Sequence, residues 1–462
     1  MSAGRSLATP VAALLLLSIL VLGAWMRLDG LADPPLWWDE GINAYFARSS
    51  PARLLAMARA SHDTDPPAHR LALKPWLAVA GRSAWSLRLL SVVCGLLTIV
   101  VTYAWGSWLW GRPTGLLAAS LLALMPMAIY YSREAKAYPF VALFGSLGSY
   151  LWARYLVPRR LVAPDAPAYR GRQRVLLWAT FVLTCALAVG AHYYAALLMA
   201  AQGAWLLAWR TARGPECPAP SVLGHWLLAQ GAAAALVLPW PLLTFRSAVS
   251  GALGLEKGPP AWHLLGYLRE VGSSLAAGPY GGGWAAWVAL AVLSLAGLWC
   301  LARDRRPRVA LLACLVAVPL ALAFALQGWV HFFAPRFLLY VTPPLCLLAA
   351  HGLTRLRWVG AALAVVLAVA WFTLLPEACG PLVAPEEDLR PLARTLAEMA
   401  EPSDAVVVGY PWQEGALSLY APDLAAPYYL GWYTRENVAD ELAALWRQHP
   451  RIWLLSYRVP ER

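Results

Sequence analysis

Apolar segments long enough to cross a lipid bilayer recur along almost the whole chain, and this feature limits the possible folds most strongly. A helix needs about 20 mostly apolar residues to span the hydrocarbon core. Inside that core a segment must satisfy its own backbone hydrogen bonds, so a helix is the expected conformation. We predict eleven spanning helices, at residues 8–28, 87–109, 114–131, 139–157, 175–191, 193–209, 223–243, 284–302, 309–327, 336–353 and 358–375.

The composition favours a membrane protein over a series of soluble domains. Of the 462 residues, 60% are hydrophobic and 13% are charged, whereas a soluble domain is about half apolar and about a quarter charged. The net charge of +12 does not indicate a nucleic-acid partner, because the arginines lie mostly between the apolar segments. The seven cysteines are scattered and predict neither a metal site nor a redox pair.

The short connections between the predicted spans indicate how the chain is oriented. The 154–174 connection holds six arginines and the 303–308 connection holds four. Because arginine-rich short connections stay in the cytoplasm, we predict a multi-pass protein of the cytoplasmic membrane with its C-terminal segment outside. No small-residue cleavage site follows the first apolar segment, so we expect a retained anchor there instead of a signal peptide.

The predicted fold is an all-α polytopic membrane protein with a small extracytoplasmic α/β domain at its C-terminal end. The transmembrane domain covers residues 1–375 and includes an outer loop, residues 29–86. The α/β domain covers residues 376–462, where helical patterns alternate with short apolar runs, at 387–401, 404–409, 435–448 and 451–457.

Two adjacent carboxylates, Asp39 and Glu40, follow two tryptophans shortly after the first predicted span. One interpretation makes Asp39 the N-cap of a helix that runs to Arg48, with the tryptophans as interfacial anchors. The other makes Asp39 a general base at the mouth of a cavity in the membrane. The residues alone leave both interpretations open.

A second polar motif fills the turn between two predicted spans, from Ser132 to Tyr138. Arg133 and Lys136 are three residues apart, so they share a face if the turn is helical. Two cations placed in this way can bind a phosphate. The alternative is that both side chains only extend from the ends of spans towards the membrane surface.

A third polar stretch, residues 62–70, contains Asp63 and Asp65 in an Asp-x-Asp pattern. That pattern holds a divalent metal in many sugar transferases. The alternative is a Pro-Pro turn that precedes a short apolar re-entrant helix at 71–80.

These motifs follow one another in one order on the predicted outer face, and together they resemble the GT-C superfamily of membrane glycosyltransferases. The resemblance is to proteins like glycosyltransferase family 39, the bacterial relatives of protein O-mannosyltransferases and of the lipid A aminoarabinose transferase. It covers about residues 25–200 and returns at 335–352. The most similar stretches run from Arg88-Leu89-Leu90-Ser91 to Gly95-Leu96-Leu97-Thr98 and from Gly115-Leu116-Leu117-Ala118-Ala119 to Tyr138.

The resemblance implies a polyprenyl-phosphate-linked sugar donor, a lipid, glycan or protein acceptor, and no required cofactor. Asp39 matches the acidic residue taken as the base, and Glu40 is its catalytic neighbour. The expected donor phosphate-binding residues are Arg133, Lys136, Arg336 and Lys74. The expected substrate cavity contains Glu134, Tyr138, His62, His69, His192 and Tyr193. A divalent metal is the alternative to these cations, with Asp63 and Asp65 as its candidate ligands.

The chain departs from the family pattern around its Pro-Pro pair. Asp65 stands where relatives often carry His or Lys, and Ala68-His69 replaces the usual Leu-Tyr. The cations that can substitute for the missing one are His62, Arg70 and Lys74.

The competing hypotheses are a transporter or flippase for lipid-linked sugars without chemistry, and a non-catalytic scaffold for envelope assembly. Transporters tend to show inverted repeats and helices broken near the bilayer midplane. This sequence has no internal repeat, and its polar motifs lie at the outer ends of the spans. We therefore predict an inverting hexosyl- or pentosyltransferase that acts at the outer face of the membrane, with Asp39 as base.

Overall fold

The computed structural model describes residues 8–60, 65–156, 171–211, 220–245, 263–279, 283–304, 307–327, 333–380, 388–430 and 438–455. The helices within these ranges are α1 Thr9–Leu28, α2 Trp38–Arg48, α3 Pro51–Ala60, α4 Ala68–Ala80, α5 Ala84–Trp110, α6 Arg112–Leu124, α7 Pro126–Ser132, α8 Tyr138–Leu151, α9 Arg172–Ala191, α10 Ala196–Thr211, α11 Pro220–Val237, α12 Pro239–Phe245, α13 Leu264–Ala277, α14 Trp284–Asp304, α15 Pro307–Leu326, α16 Thr342–Arg355, α17 Arg357–Cys379, α18 Arg390–Met399, α19 Pro411–Tyr420 and α20 Val438–Gln448. A π-helical turn, Trp152–Leu156, extends α8, and 3₁₀ turns at Tyr193–Ala195 and Pro335–Val341 precede α10 and α16. The strands are β1 Ala405–Val408, β2 Tyr428–Leu430 and β3 Ile452–Leu455.

The protein is a mostly helical membrane protein, and each of the eleven predicted spans coincides with helical structure. Within the described ranges, five helical segments are long and apolar enough to cross a membrane, and up to seven are if each bent pair counts as one span. The total of eleven therefore stays a prediction.

Two of the predicted spans are bent. The α6–α7 pair bends by 60° and the α11–α12 pair by 48°. Both breaks immediately precede a proline, Pro126 or Pro239, which lacks the amide proton needed to continue the backbone hydrogen bonds. The first bend matters most, because the polar turn 133–137 follows directly after α7.

Glycines let several other helices of the protein approach one another closely. A Cβ atom added to Gly106 of α5 would lie 2.8 Å from the Cα of Gly115 in α6. A Cβ on Gly297 of α14 would lie 2.2 Å from the Leu348 carbonyl oxygen of α16. Glycine at such positions is typical of helix packing in membranes, where attraction between helices comes from close contact.

The C-terminal segment contains a three-stranded parallel sheet in the order β2-β1-β3. All four residues of the central strand β1 are buried, and Ala393 and Leu396 of α18 pack in the same apolar cluster. The four elements predicted for this segment are present as α18, β1, α20 and β3. The domain boundary after residue 375 and the side of the membrane remain predictions.

Helix α2 of loop 29–86 packs directly on α19 of the C-terminal segment. A Cβ on Gly41 would lie 2.4 Å from the Trp412 carbonyl oxygen, and a Cβ on Gly415 would lie 1.9 Å from the Gly41 carbonyl oxygen. The Leu36 amide also donates to the Tyr420 hydroxyl over 2.5 Å. The helix that begins with the acidic pair is therefore held against the C-terminal segment by backbone contact.

Candidate functional site

The carboxylate of Asp39 forms a buried ion pair with Lys136. The Asp39 Oδ2 and Lys136 Nζ atoms are 2.9 Å apart, and the two side chains are 11% and 9% exposed. The ammonium keeps its proton, because the neighbouring Tyr138 and Asp39 raise the pKa of Lys136 against the lowering effect of burial. The first turn of α2 and the turn 133–137 thus meet through opposite charges.

The hypothesis that Asp39 is a helix N-cap is wrong. Helix α2 begins one residue earlier, at Trp38, and the N-cap is Trp37. The Trp37 carbonyl accepts hydrogen bonds from the amides of Glu40 and Gly41. The side chain of Asp39 is therefore directed to Lys136 instead of to the end of its own helix.

Glu40, the next residue, belongs to a different network. The Arg88 guanidinium donates to both carboxylate oxygens of Glu40, over 2.8 and 2.6 Å, and the Ala135 amide donates to Oε1 over 2.9 Å. Arg88 also donates to the carbonyls of Leu31, Pro34 and Pro35. Because this carboxylate is 1% exposed and its oxygens are occupied, Glu40 is suited to fixing the loop on α5, not to contacting a substrate.

Arg133 and Lys136 do not share a face, which corrects the sequence prediction. The turn between α7 and α8 is not helical, so a three-residue spacing does not align the two side chains. Arg133 donates instead to the carbonyls of Met26, Asp29, Gly30 and Cys379, over 3.2, 2.6, 3.2 and 3.4 Å. Carbonyls at a helix C-terminus need such donors, so Arg133 stabilises the end of α1 and is turned away from Lys136.

Glu134 also faces away from Lys136. The Tyr130 hydroxyl donates to Glu134 Oε1 over 2.6 Å, and Oε2 is buried without a hydrogen-bond partner among the described residues. Burial and the nearby Glu40 carboxylate raise the pKa of Glu134 to about 8. Glu134 lines a separate opening of about 360 Å³ together with Glu40, Arg88 and Arg133, so it is not part of the cavity that Lys136 lines.

The cavity beside Lys136 contains several of the residues singled out from the sequence. It encloses about 320 Å³ of empty space, open to solvent, and is lined by Asn43, Asp65, Pro66, His69, Arg70, Lys136, Ala137, Tyr138, Ala191 and His192. The Pro-Pro turn places two of them, since α4 begins directly after it and carries both His69 and Arg70. The α4 helix begins at Ala68, three residues before the predicted re-entrant helix.

The charges around this cavity are mostly positive. Arg70 donates to the Asn43 amide oxygen over 3.1 Å and lies 3.9 Å from the Asp65 carboxylate. The Arg336 guanidinium, half-buried, donates to the Tyr138 hydroxyl over 3.1 Å. Arg70 and Lys136 line the opening, and Arg336 is hydrogen-bonded to its lining residue Tyr138, so the cavity is suited to an anion such as a phosphate.

The two histidines that line the cavity are neutral. Burial, together with Lys136 and Arg336, lowers the pKa of His192 to about 4. Burial and the nearby cations Lys136 and Arg70 likewise lower the pKa of His69 to about 3. Both rings are therefore neutral at pH 7 and offer hydrogen bonds without adding charge.

The remaining predicted residues lie elsewhere or cannot be placed. Lys74 is exposed, and its ammonium donates to the Ser49 carbonyl over 3.0 Å, so it does not reach the cavity. Tyr193 is 38% exposed and stands beside the cavity without lining it. His62 and Asp63 lie outside the described residues. Within the described ranges no group of three or more His, Cys, Asp and Glu residues is placed to hold a metal, and Asp65 faces Arg70.

Sequence reasoning missed Asn43 and the pairing of Arg88. Asn43 is four residues after Asp39, so the helical repeat of α2 already placed the two on one face. Its amide nitrogen donates to the Ala135 carbonyl over 2.8 Å, while its oxygen binds Arg70. The partner of Arg88 lies 48 residues away, and no local pattern indicates it.

Comparison with known proteins gives a consistent result for the fold. Residues 76–252 match the family model described as dolichyl-phosphate-mannose-protein mannosyltransferase. No curated protein sequence matches the chain.

Solved structures match the chain over almost its full length. ArnT from Cupriavidus metallidurans in the apo state is 15% identical with a TM-score of 0.61, and the match covers 95% of this chain and 89% of ArnT. The structure of ArnT bound to undecaprenyl phosphate gives the same identity and TM-score, with 97% and 90% covered. The archaeal oligosaccharyltransferase AglB from Archaeoglobus fulgidus, in complex with an inhibitory peptide and a dolichol-phosphate, is 11% identical with a TM-score of 0.59, over 90% of this chain and 64% of AglB. The chain therefore has the fold of the GT-C superfamily of membrane glycosyltransferases, which confirms the resemblance seen in its sequence.

Proposed function

We propose that the protein is a glycosyltransferase that moves a sugar from a polyprenyl-phosphate donor to an acceptor hydroxyl at the outer face of the cytoplasmic membrane. The observation that carries the proposal is the Asp39–Lys136 ion pair at the edge of a cationic cavity. A carboxylate and an ammonium at this position match the two needs of the reaction, a base for the acceptor and a positive charge for the leaving phosphate.

The geometry suggests how the residues share the reaction. The acceptor oxygen attacks the anomeric carbon and gives its proton to Asp39. The bond between the anomeric carbon and the phosphate oxygen breaks, and polyprenyl phosphate leaves with the bonding electrons. Lys136, Arg70 and Arg336 stabilise that negative charge, and a low-dielectric site strengthens their effect.

A single displacement of this kind inverts the anomeric carbon. A retaining mechanism would require a second carboxylate as nucleophile. Glu40 is adjacent in sequence, but Arg88 and the Ala135 amide occupy its oxygens. We therefore assign Glu40 to positioning, and the three cations remove the need for a metal at the phosphate.

Release of polyprenyl phosphate from a labelled lipid-linked sugar tests the proposal. The assay uses purified protein in lipid nanodiscs, a panel of hexosyl and pentosyl donors, and the variants Asp39→Asn and Glu40→Gln. Asn keeps the size of Asp but is not a base, so turnover should fall by about a hundredfold or more. The melting temperature of Asp39→Asn should stay close to that of the wild type.

Each outcome separates one hypothesis from another. Full turnover by Asp39→Asn would show that Asp39 is not the base. Movement of the labelled lipid across a liposome membrane without release of polyprenyl phosphate would instead establish a flippase.

The proposed side of the membrane has its own test. A cysteine at the exposed position Asp423 in the C-terminal segment, in a background without native cysteines, should react with an impermeant thiol reagent in intact cells. A cysteine at Arg355, in a predicted inner connection, should be protected. The opposite pattern would place the active site in the cytoplasm.

A further inference from the structure

A second polar cavity lies at the junction between α2 and α19, away from the proposed active site. It encloses about 370 Å³ of empty space, open to solvent, and is lined by Tyr45, Arg48, Ser49, Arg53, Glu414 and Gly415. The close packing of Gly41 on Gly415 fixes the two helices that form its walls. The cavity at the junction therefore lies between two helices, α2 and α19, that are held against each other.

The cavity contains a carboxylate oxygen with unused hydrogen-bonding capacity. Glu414 Oε2 is buried and has no hydrogen-bond partner among the described residues. Arg53 Nη2 lies 3.7 Å from Glu414 Oε2, too far for a short direct hydrogen bond. A hydroxyl donor bound in the cavity would complete the hydrogen bonds of the carboxylate.

The cavity also carries an excess of positive charge. Arg48 and Arg53 face one carboxylate, Glu414, and the Lys74 ammonium is bonded to the Ser49 carbonyl at the rim over 3.0 Å. Arg53 is held by a hydrogen bond of 2.9 Å from its Nε atom to the Tyr45 hydroxyl. Its remaining guanidinium nitrogens can bind an anionic group, and a guanidinium prefers carboxylate or phosphate.

These two properties define the chemistry of the ligand. Inorganic phosphate would use the arginines, but it has no hydroxyl separate from its anionic group that could donate to Glu414 at the same time. A neutral sugar would satisfy Glu414 but would leave the positive charge unused. We infer that the α2–α19 junction binds a sugar that carries an anionic substituent, and that this acidic sugar is the recognised part of the acceptor.

The position of the junction suits this role, which rests on the proposed function. Arg48 follows Asp39 by nine residues on the same helix. At 1.5 Å per residue, the two residues are therefore about 14 Å apart along the helix axis. An acceptor of more than one sugar unit can therefore place its hydroxyl near Asp39 while its acidic unit occupies the junction.

Binding measurements test the site without relying on catalysis. The protein carries Lys136→Ala, so that phosphate binding in the cavity beside Asp39 is weakened. Binding is measured by saturation-transfer NMR and calorimetry. The probes are glucuronic acid, glucose 6-phosphate, glucose, inorganic phosphate and a tripeptide of glutamate. Both acidic sugars should bind about tenfold more tightly than glucose or phosphate. Arg53→Gln and Glu414→Gln should each weaken that binding about tenfold, the loss expected for one hydrogen bond to a charged group.

The controls keep this proposal separate from the proposed function. Arg447→Gln removes an exposed arginine of α20 and should leave binding unchanged. Equal binding of glucose, of phosphate alone or of the glutamate tripeptide would overturn the inference, and so would wild-type binding by both junction variants. If acidic sugars bind as expected but the unmodified protein transfers no sugar, the site stands and the proposed function fails.

Discussion

Asp39 and Glu40 are neighbours on one helix, yet their carboxylates have very different surroundings. Glu40 accepts three hydrogen bonds, from Arg88 and the Ala135 amide, and is 1% exposed. Asp39 has one ion-pair partner, Lys136, and that partner borders a cavity open to solvent. The oxygens of Glu40 are occupied by protein donors, whereas Asp39 is linked through Lys136 to a cavity that a ligand can enter.

The difference indicates that two adjacent carboxylates can have separate roles, Glu40 in holding the fold and Asp39 in reacting with a substrate. Enclosed ion pairs cost a large desolvation energy that only complete hydrogen bonding offsets, so they fix geometry and leave no free lone pair. A carboxylate at a cavity keeps an accessible oxygen and can accept a proton from a substrate. We expect mutations at the two positions to affect different quantities.

The largest expected effect is on stability, from Glu40→Ala. The change leaves the buried guanidinium of Arg88 without its counter-ion, which typically costs about 3–5 kcal/mol. Asp39→Ala should cost much less, because Lys136 can be hydrated from the cavity. Thermal unfolding in detergent of the two variants and of Glu40→Gln, which keeps the acceptor oxygen, measures the difference. Equal losses of stability at both positions would show that Asp39 is as important to the fold as Glu40.

A smaller effect, on kinetics, should separate Lys136 from Arg133. Loss of a charged hydrogen bond to phosphate is worth about 1.5–3 kcal/mol, so Lys136→Ala should lower donor kcat/KM by about tenfold to a hundredfold. Arg133→Ala should leave kcat/KM almost unchanged and lower the melting temperature, because the carbonyls of Met26, Asp29 and Gly30 lose their donor. Arg447→Ala, which removes an exposed cation of α20, serves as the control for removing a cation outside both cavities. If Arg133→Ala lowers donor kcat/KM at an unchanged melting temperature, Arg133 binds the donor phosphate after all.

The smallest effect concerns pH and the buried carboxyl group of Glu134. Its pKa is raised from 4.5 to about 8, so between these values the folded protein holds a proton that the unfolded chain releases. Stability should therefore be greatest below the lower value and fall as pH rises through that window. Glu134→Gln removes this titration, so the melting temperature of the wild type should fall by a few degrees relative to Glu134→Gln between pH 5 and pH 8. A constant difference across that range would show that Glu134 is already ionised at pH 5.

The helical part of the fold could be predicted because its cause is local. Every predicted apolar segment is helical, since a run of apolar residues carries its own periodicity and length. The bends before Pro126 and Pro239 follow from single residues, but the angles of 60° and 48° depend on packing against other helices.

The site could be predicted only in part, for the same reason. The sequence singled out Asp39, Lys136 and the polar turn because they stand next to apolar spans, and the folded chain brings Asp39 and Lys136 together. Sequence reasoning misassigned Arg133, since whether a five-residue turn is helical depends on how the ends of α7 and α8 are held. The pairing of Glu40 with Arg88 joins residues 48 positions apart, and only the folded chain brings them together.

The backbone contact between Gly41 and Gly415 has a consequence for how such proteins can diversify. The first turn of α2 supplies Asp39, while α19 supplies the wall against which α2 is seated. A replacement C-terminal segment would have to reproduce a helix with a glycine at that crossing, or the carboxylate would shift with its helix. Recombination of this segment between related proteins is thus constrained by a contact that carries no side chain at all, and a functional chimera needs both glycines from compatible parents.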